Sequence, residues 1–172
     1  MSWRAVSVAA GVTTVGGMIA TPLLPRGGRG RAALSSVVIG GLFTSTVART
    51  AVRWHPGRAA IAAGATVVAT TAVEHLGTST GRPFGPYRYT SALRPQIGGV
   101  PAIVPLAWFA MAMPARETAH RALGDRTGPL ARVVLGSAAL TAWDLFLDPQ
   151  MVGEGYWVWG RRGRYRGIPL QN

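Results

Sequence analysis

Five blocks of almost uninterrupted apolar sequence constrain this chain more than any other feature. They cover residues 5–24, 32–52, 59–76, 97–115 and 130–147, and each has the roughly 17–25 residues that a helix needs to cross a bilayer's hydrocarbon. A soluble core is written as short periodic stretches, whereas blocks of this length require surroundings that are themselves apolar. In hydrocarbon every backbone N–H and C=O must be satisfied within its own segment, so each block predicts a helix. The expected fold is therefore all-α: a polytopic transmembrane helix bundle of about five spanning helices, forming one membrane domain over residues 1–172. A long interfacial loop and an aromatic, arginine-rich C-terminal tail complete it.

The first block follows Arg4 and outlasts the apolar core of a signal peptide, with no small-x-small cleavage pattern before Pro22 and Pro25. A first spanning helix is expected there rather than a cleaved leader. Connectors 25–31 and 53–58 are short, as between antiparallel neighbours, but 77–96 is rich in Gly, Pro, Ser and Thr and too long for a mere link. Residues 116–129 look amphipathic, like a short interfacial helix after Pro114. Paired glycines at Gly16-Gly17 and Gly40-Gly41 predict close helix approach.

Net charge is +12, every one of the 18 basic residues is arginine, and none falls in a dense block. Arginines scattered through connectors fit lipid headgroups, where the long stem snorkels out of hydrocarbon, so membrane lipids are expected partners and nucleic acid is not. The absence of cysteine excludes disulfides, thiolate nucleophiles and Cys-based metal or cluster sites.

Only six acidic residues exist. Glu117, Asp125 and Glu154 fall in connectors or the tail and read as solvated surface charge. Glu74 ends the third block, Asp144 ends the fifth, and Asp148 follows one helical turn later. The third and fifth helices run the same way, so these carboxyls emerge at one membrane face together with the long loop and the tail. Ionisable residues in spans are costly and are functional by default. Neighbouring carboxyls resist ionising together, which lets one serve as a general acid beside a basic partner. Asp148 before Pro149 also reads as a helix end, and Glu74 or Asp144 as a partner for loop arginines. His75 points about 100° away from Glu74 and reads as a polar interface residue; His55 and His120 lie at the opposite face, so no metal centre is expected. Tyr87, Tyr89, Trp143, Tyr156, Trp157 and Trp159 gather at the carboxylate end, as an aromatic belt or as π faces able to steady a cation by about 0.5–2 kcal/mol each.

Several unusual words resemble one family. Glu74-His75-Leu76-Gly77, Gly81-Arg82-Pro83-Phe84-Gly85-Pro86-Tyr87-Arg88-Tyr89, Gly99-Val100-Pro101 with Pro105-Leu106-Ala107-Trp108, Asp144-Leu145-Phe146-Leu147-Asp148-Pro149, Gly155-Tyr156-Trp157-Val158-Trp159 and Gly167-Ile168-Pro169 occur in order over roughly the last hundred residues. They look like the carotenoid-biosynthesis membrane proteins, which include hydratases of acyclic carotenoid ends. The resemblance implies cofactor-free, metal-free addition of water to the terminal isoprenoid double bond of a C40 or C50 carotenoid. It also implies an isoprenoid lipid substrate, other carotenoid-pathway enzymes as partners, and residence in a bacterial cytoplasmic membrane. Asp144 is then the acid and Glu74 or Asp148 the base, with His75, Arg82, Phe84, Tyr87, Tyr89, Trp108, Trp143, Trp157 and Trp159 lining the substrate. Family members usually continue into further helices, so this chain resembles a shortened member. Two rivals stand beside this reading. A polyprenyl transferase would hold magnesium and diphosphate on acids four apart, and a carotenoid-binding or scaffold subunit would use its acids only to pair with arginines.

Overall fold

The computed structural model describes residues 2–125 and 127–169. Its helices are α1 (Trp3–Ala20), α2 (Arg29–Trp54), α3 (Pro56–Thr80), α4 (Ile103–Leu123) and α5 (Pro129–Gly153). Four short strands complete it: β1 (Tyr87–Tyr89), β2 (Gln96–Ile97), β3 (Val100–Pro101) and β4 (Trp157–Trp159). The all-α class expected from hydropathy is the fold observed.

Local sequence explains where the helices start and stop. Ser2 caps α1 by accepting a hydrogen bond from the Ala5 N–H at 3.2 Å. No loop separates α2 from α3. His55 alone breaks the chain at φ 124°, its Nδ1 accepting from the Gly57 N–H while Pro56 opens the next helix. Gly81 closes α3 in the left-handed conformation that glycine adopts most easily.

Helices α1, α2, α3 and α5 are long and apolar enough to cross a membrane. The fourth predicted span is different, because two of its boundaries move. Residues 96–101 form the β2–β3 hairpin, with Gln96 opposite Pro101 and Ile97 opposite Val100. Helix α4 then runs on through Pro114 to Leu123, so residues 116–123 of the interfacial helix expected over 116–129 are its continuation rather than a separate element. Arg116, Glu117, His120 and Arg121 fill those last turns, which is why α4 is not among the four apolar spans.

Packing is inside-out relative to a soluble bundle. Val8, Val12, Val15 and Ile19 on α1, Ile61 and Val68 on α3, and Leu130, Val133, Val134 and Phe146 on α5 all face outward, Ile61 73% exposed and Phe146 68%. In water that area would forgo about 25 cal/mol per Å² of burial, whereas lipid accepts it. The interior is small: Ala63, Phe109 and Met113, wrapped by Phe43, Val47, Trp54 and Ala62. Helix α2 packs on α1, α3 and α4, and α4 packs on α2, α3 and α5. Each glycine pair supplies one contact residue. A Cβ on Gly17 would lie 2.6 Å from Val38 Cγ2 and one on Gly41 would lie 2.5 Å from Thr14 Oγ1, whereas Gly16 and Gly40 face open space.

Candidate active site

Helix α3 carries Glu74 into the interior at 5% exposure, six residues before its end at Thr80. Three donors converge on this carboxyl. Oε2 accepts from the Tyr87 hydroxyl at 2.5 Å and the Tyr89 hydroxyl at 2.8 Å, and Oε1 accepts from Trp108 Nε1–H at 2.8 Å. Among the described residues no arginine forms an ion pair with it.

The two tyrosines reach Glu74 together because side chains alternate along a strand, which puts Tyr87 and Tyr89 on one face of β1 and leaves Arg88 exposed on the other. That strand pairs antiparallel with β4, matching Tyr87 to Trp159 and Tyr89 to Trp157. The rings follow the register: Tyr87–Trp159 centroids are 5.3 Å apart, Tyr89–Trp157 5.8 Å and Tyr87–Tyr89 5.7 Å, with Phe84 6.3 Å from Tyr87. This aromatic ribbon roofs the carboxylate. Burial first, then the hydrogen bond to Glu74, pushes the Tyr87 hydroxyl far above the ordinary phenol range; burial and the charge of Glu74 do the same to Tyr89. Both therefore remain protonated donors at any physiological pH. Gly77 makes room for them, since a Cβ there would meet the Tyr87 hydroxyl at 2.9 Å and Phe84 at 3.2 Å.

Helix α5 brings the other two carboxyls. It continues through Pro149 to Gly153, so Asp148 is an interior helical residue rather than a helix end, buried at 8% exposure. Asp144, one turn earlier and half-buried, lies within electrostatic reach of Glu74, and Asp148 within reach of Tyr87. Glu74, Asp144 and Asp148 thus gather around one aromatic cluster with Phe84, Tyr87, Tyr89, Trp108, Trp157 and Trp159. Three further residues expected at the substrate stand apart from it. His75 is exposed and turned to the Gly98 carbonyl at 3.1 Å, Arg82 is exposed, and Trp143 faces outward at 47% exposure.

Two features of the site have no counterpart in the local sequence pattern. Glu154 and Glu117 are not solvated surface charges. Arg31 clamps Glu154 with both Nε and Nη2 at 2.6 Å while its Nη1 donates to the Thr21 and Leu24 carbonyls, and Glu117 is held by Arg53 and Arg116 at 2.5 Å each. The first clamp, with Tyr156 and Ser35 hydroxyls 2.7 Å apart, ties the root of β4 to α2. Its only sequence signal is Glu154 itself, an acid alone in a basic tail. The second feature is the Trp159 indole N–H, which is buried beside Tyr87 with no partner among the described residues.

Fold and site together define an integral membrane protein with a buried carboxylate cluster under an aromatic roof. The carotenoid biosynthesis protein family matches residues 35–172, reaching back into α2 beyond the motif words. The chain belongs to that family. It is 31% identical over 117 residues to the bisanhydrobacterioruberin hydratase of Haloarcula japonica, a match covering 67% of this chain and 40% of that protein. The matched region thus accounts for well under half of the relative's length. No solved structure matches the chain.

Proposed function

We propose that this protein adds water to the terminal isoprenoid double bond of an acyclic C40 or C50 carotenoid. The observation that carries the reading is the hydrogen bonding of Glu74: a buried carboxyl that accepts from the neutral donors of Tyr87, Tyr89 and Trp108, beside the carboxyls of α5. All three contacts are donated to Glu74, which gives it the accepting role. Asp144 then supplies the proton.

In the reaction, the Asp144 carboxyl protonates the less substituted alkene carbon, and the π electrons form the new C–H bond. The tertiary cation left behind sits by the carboxylate of Glu74 and the π faces of the roof. A water oxygen bonds to the cation and loses a proton to Glu74 or Asp148, and proton return to Asp144 resets the site. One water is consumed and no cofactor is required. The spare Trp159 N–H is suited to hold the incoming water or the product alcohol. On this reading the carotenoid approaches laterally from lipid on the side where Leu76 of α3 and Leu145 of α5 are exposed.

The test is expression in a lycopene-producing host followed by pigment extraction and mass analysis. The expected product is heavier by one water and disappears in Asp144→Asn. An unchanged pigment profile from well-expressed protein overturns the reading.

A further inference from the structure

A hydratase buried in a membrane must draw its two substrates from opposite phases, carotenoid from lipid and water from the aqueous side. Next to the aromatic roof lies an open cavity of about 280 Å³ lined by His75, Thr78, Ser79, Arg88, Tyr89 and Gln96. At ~30 Å³ per molecule this is room for several waters. Its lining is ill suited to a hydrocarbon chain, because hydroxyl and amide groups covered by an alkene would each lose water at a cost of about 1–3 kcal/mol, and the charged guanidinium of Arg88 at a greater one.

Two glycines complete the cavity's lining. Gly98 and Gly99 form the two-residue turn of the β2–β3 hairpin with φ of 57° and 81°, the double positive φ of the turn type that fits a twisted hairpin. A Cβ on Gly98 would press on His75 Nδ1 at 3.0 Å, while Gly99 faces open space. His75, bonded to the Gly98 carbonyl, pins this turn against α3. The inner wall is Tyr89, whose hydroxyl is 2.8 Å from Glu74 Oε2. One side chain therefore separates the polar cavity from the buried carboxylate.

We propose that this cavity, bounded by His75, Ser79 and Tyr89, is the aqueous inlet that delivers water to Glu74, apart from the lipid-facing side on which the carotenoid enters. The inference rests on the hydratase reading. Each turnover takes one water through the inlet: its oxygen and one hydrogen leave on the product as hydroxyl, and its other proton replaces the one that Asp144 gave to the alkene carbon. Protons therefore balance without a separate proton path.

Because the chain has no cysteine, a single introduced thiol reports on its own surroundings. Thr78→Cys and Ser79→Cys, in native membranes opened to both sides, are treated with a charged, membrane-impermeant thiosulfonate reagent, and labelling is read by mass. Both are expected to label within about tenfold of the rate of Arg161→Cys in the tail, with Phe146→Cys on the lipid side unlabelled. Hydration by the same sample is expected to fall at least tenfold after labelling, with the KM for carotenoid unchanged. If Ser79→Cys fails to accumulate, Gln96→Cys probes the same cavity from the hairpin. Absence of labelling, or labelling that leaves the hydration rate unchanged, overturns the inlet while the hydratase reading stands. Labelling of a protein whose unsubstituted form makes no hydrated product overturns the hydratase reading, and the inlet with it.

Discussion

Glu74→Gln keeps the shape of the side chain but turns one accepting oxygen into an NH2 donor. With its remaining oxygen toward Tyr87 and Tyr89, the amide sets NH2 against Trp108 Nε1–H, donor facing donor across a contact that is now 2.8 Å. Flipping the amide restores that bond but strips both tyrosine hydroxyls, at 2.5 and 2.8 Å, of their acceptor. Either way a buried donor goes unsatisfied, at about 1–3 kcal/mol. For a chain of this size that corresponds to roughly 2–12 °C in Tm.

Trp108→Phe alone removes one hydrogen bond to a charged group, about 1.5–3 kcal/mol, and leaves little void because the indole is only half-buried. Combined, the two substitutions remove the donor together with the acceptor it needed. The double variant should therefore lose about 1–2 kcal/mol less than the sum of the single losses. Under the proposed reaction, with Glu74 as the base, hydration should behave differently: Glu74→Gln and the double variant both fall by about a hundredfold or more, since restoring donor balance does not restore a base. Thermal unfolding in detergent, followed by tryptophan fluorescence, gives the stabilities, and pigment conversion gives the activity. Strictly additive losses would refute the proposed coupling of Glu74 to Trp108, and recovered hydration in the double variant would refute the role of the carboxylate.

Three further outcomes are expected. Tyr87 and Tyr89 hold their protons in the folded protein beyond the ordinary value of 10.0, so above about pH 10 the unfolded chain loses protons that the folded one keeps. Stability is then full below that pH and declines above it by up to about 1.4 kcal/mol per pH unit per tyrosine, a slope that Tyr89→Phe should roughly halve in unfolding measured across the range. Glu154→Gln should loosen the root of β4 and speed tryptic cleavage at Arg161 and Arg162 several-fold, whereas an unchanged digestion rate would show that the Arg31 clamp does not hold the tail. Gly41→Val should force α1 off α2 and cost about 1–3 kcal/mol, with Gly40→Ala near neutral, as read from the Tm of the two variants.

What hydropathy could reveal was local. The blocks at 5–24, 32–52, 59–76 and 130–147 become α1, α2, α3 and α5 because a spanning helix satisfies its own backbone within one stretch of sequence. Convergence of Glu74, Asp144 and Asp148 followed from helix direction alone. The failures were of two kinds. Pro114 and Pro149 read as helix boundaries, yet both lie inside helices, where neighbouring helices resupply contacts that outweigh a cost of about 3 kcal/mol. The second kind was long-range. The pairing of β1 with β4 and the bond of Arg31 to Glu154, 123 residues apart, leave no periodicity to read, because each partner is three residues or fewer of otherwise ordinary sequence. The roof over Glu74 was thus foreseeable as a collection of aromatic residues but not as a strand pair.

How the carboxylates divide among partners bears most directly on the chemistry. Glu117, Asp125 and Glu154 all have arginines within ion-pair distance, although the chain carries 18 arginines and Arg88 stands between the very tyrosines that bind Glu74. Glu74 receives neutral donors instead. An arginine would satisfy a buried carboxylate more strongly, but it would also oppose any cation formed beside it. At about 5 Å and an effective dielectric near 20 that repulsion is roughly 3 kcal/mol, a factor of about a hundred or more in rate. Phenol and indole donors hold the carboxylate in place without that penalty and present π faces to the same space. Trp108→Arg, which puts a charged donor where a neutral one stood, should therefore preserve or raise thermal stability while suppressing the proposed hydration by about a hundredfold. Undiminished pigment conversion in that variant would mean that no cation develops near Glu74.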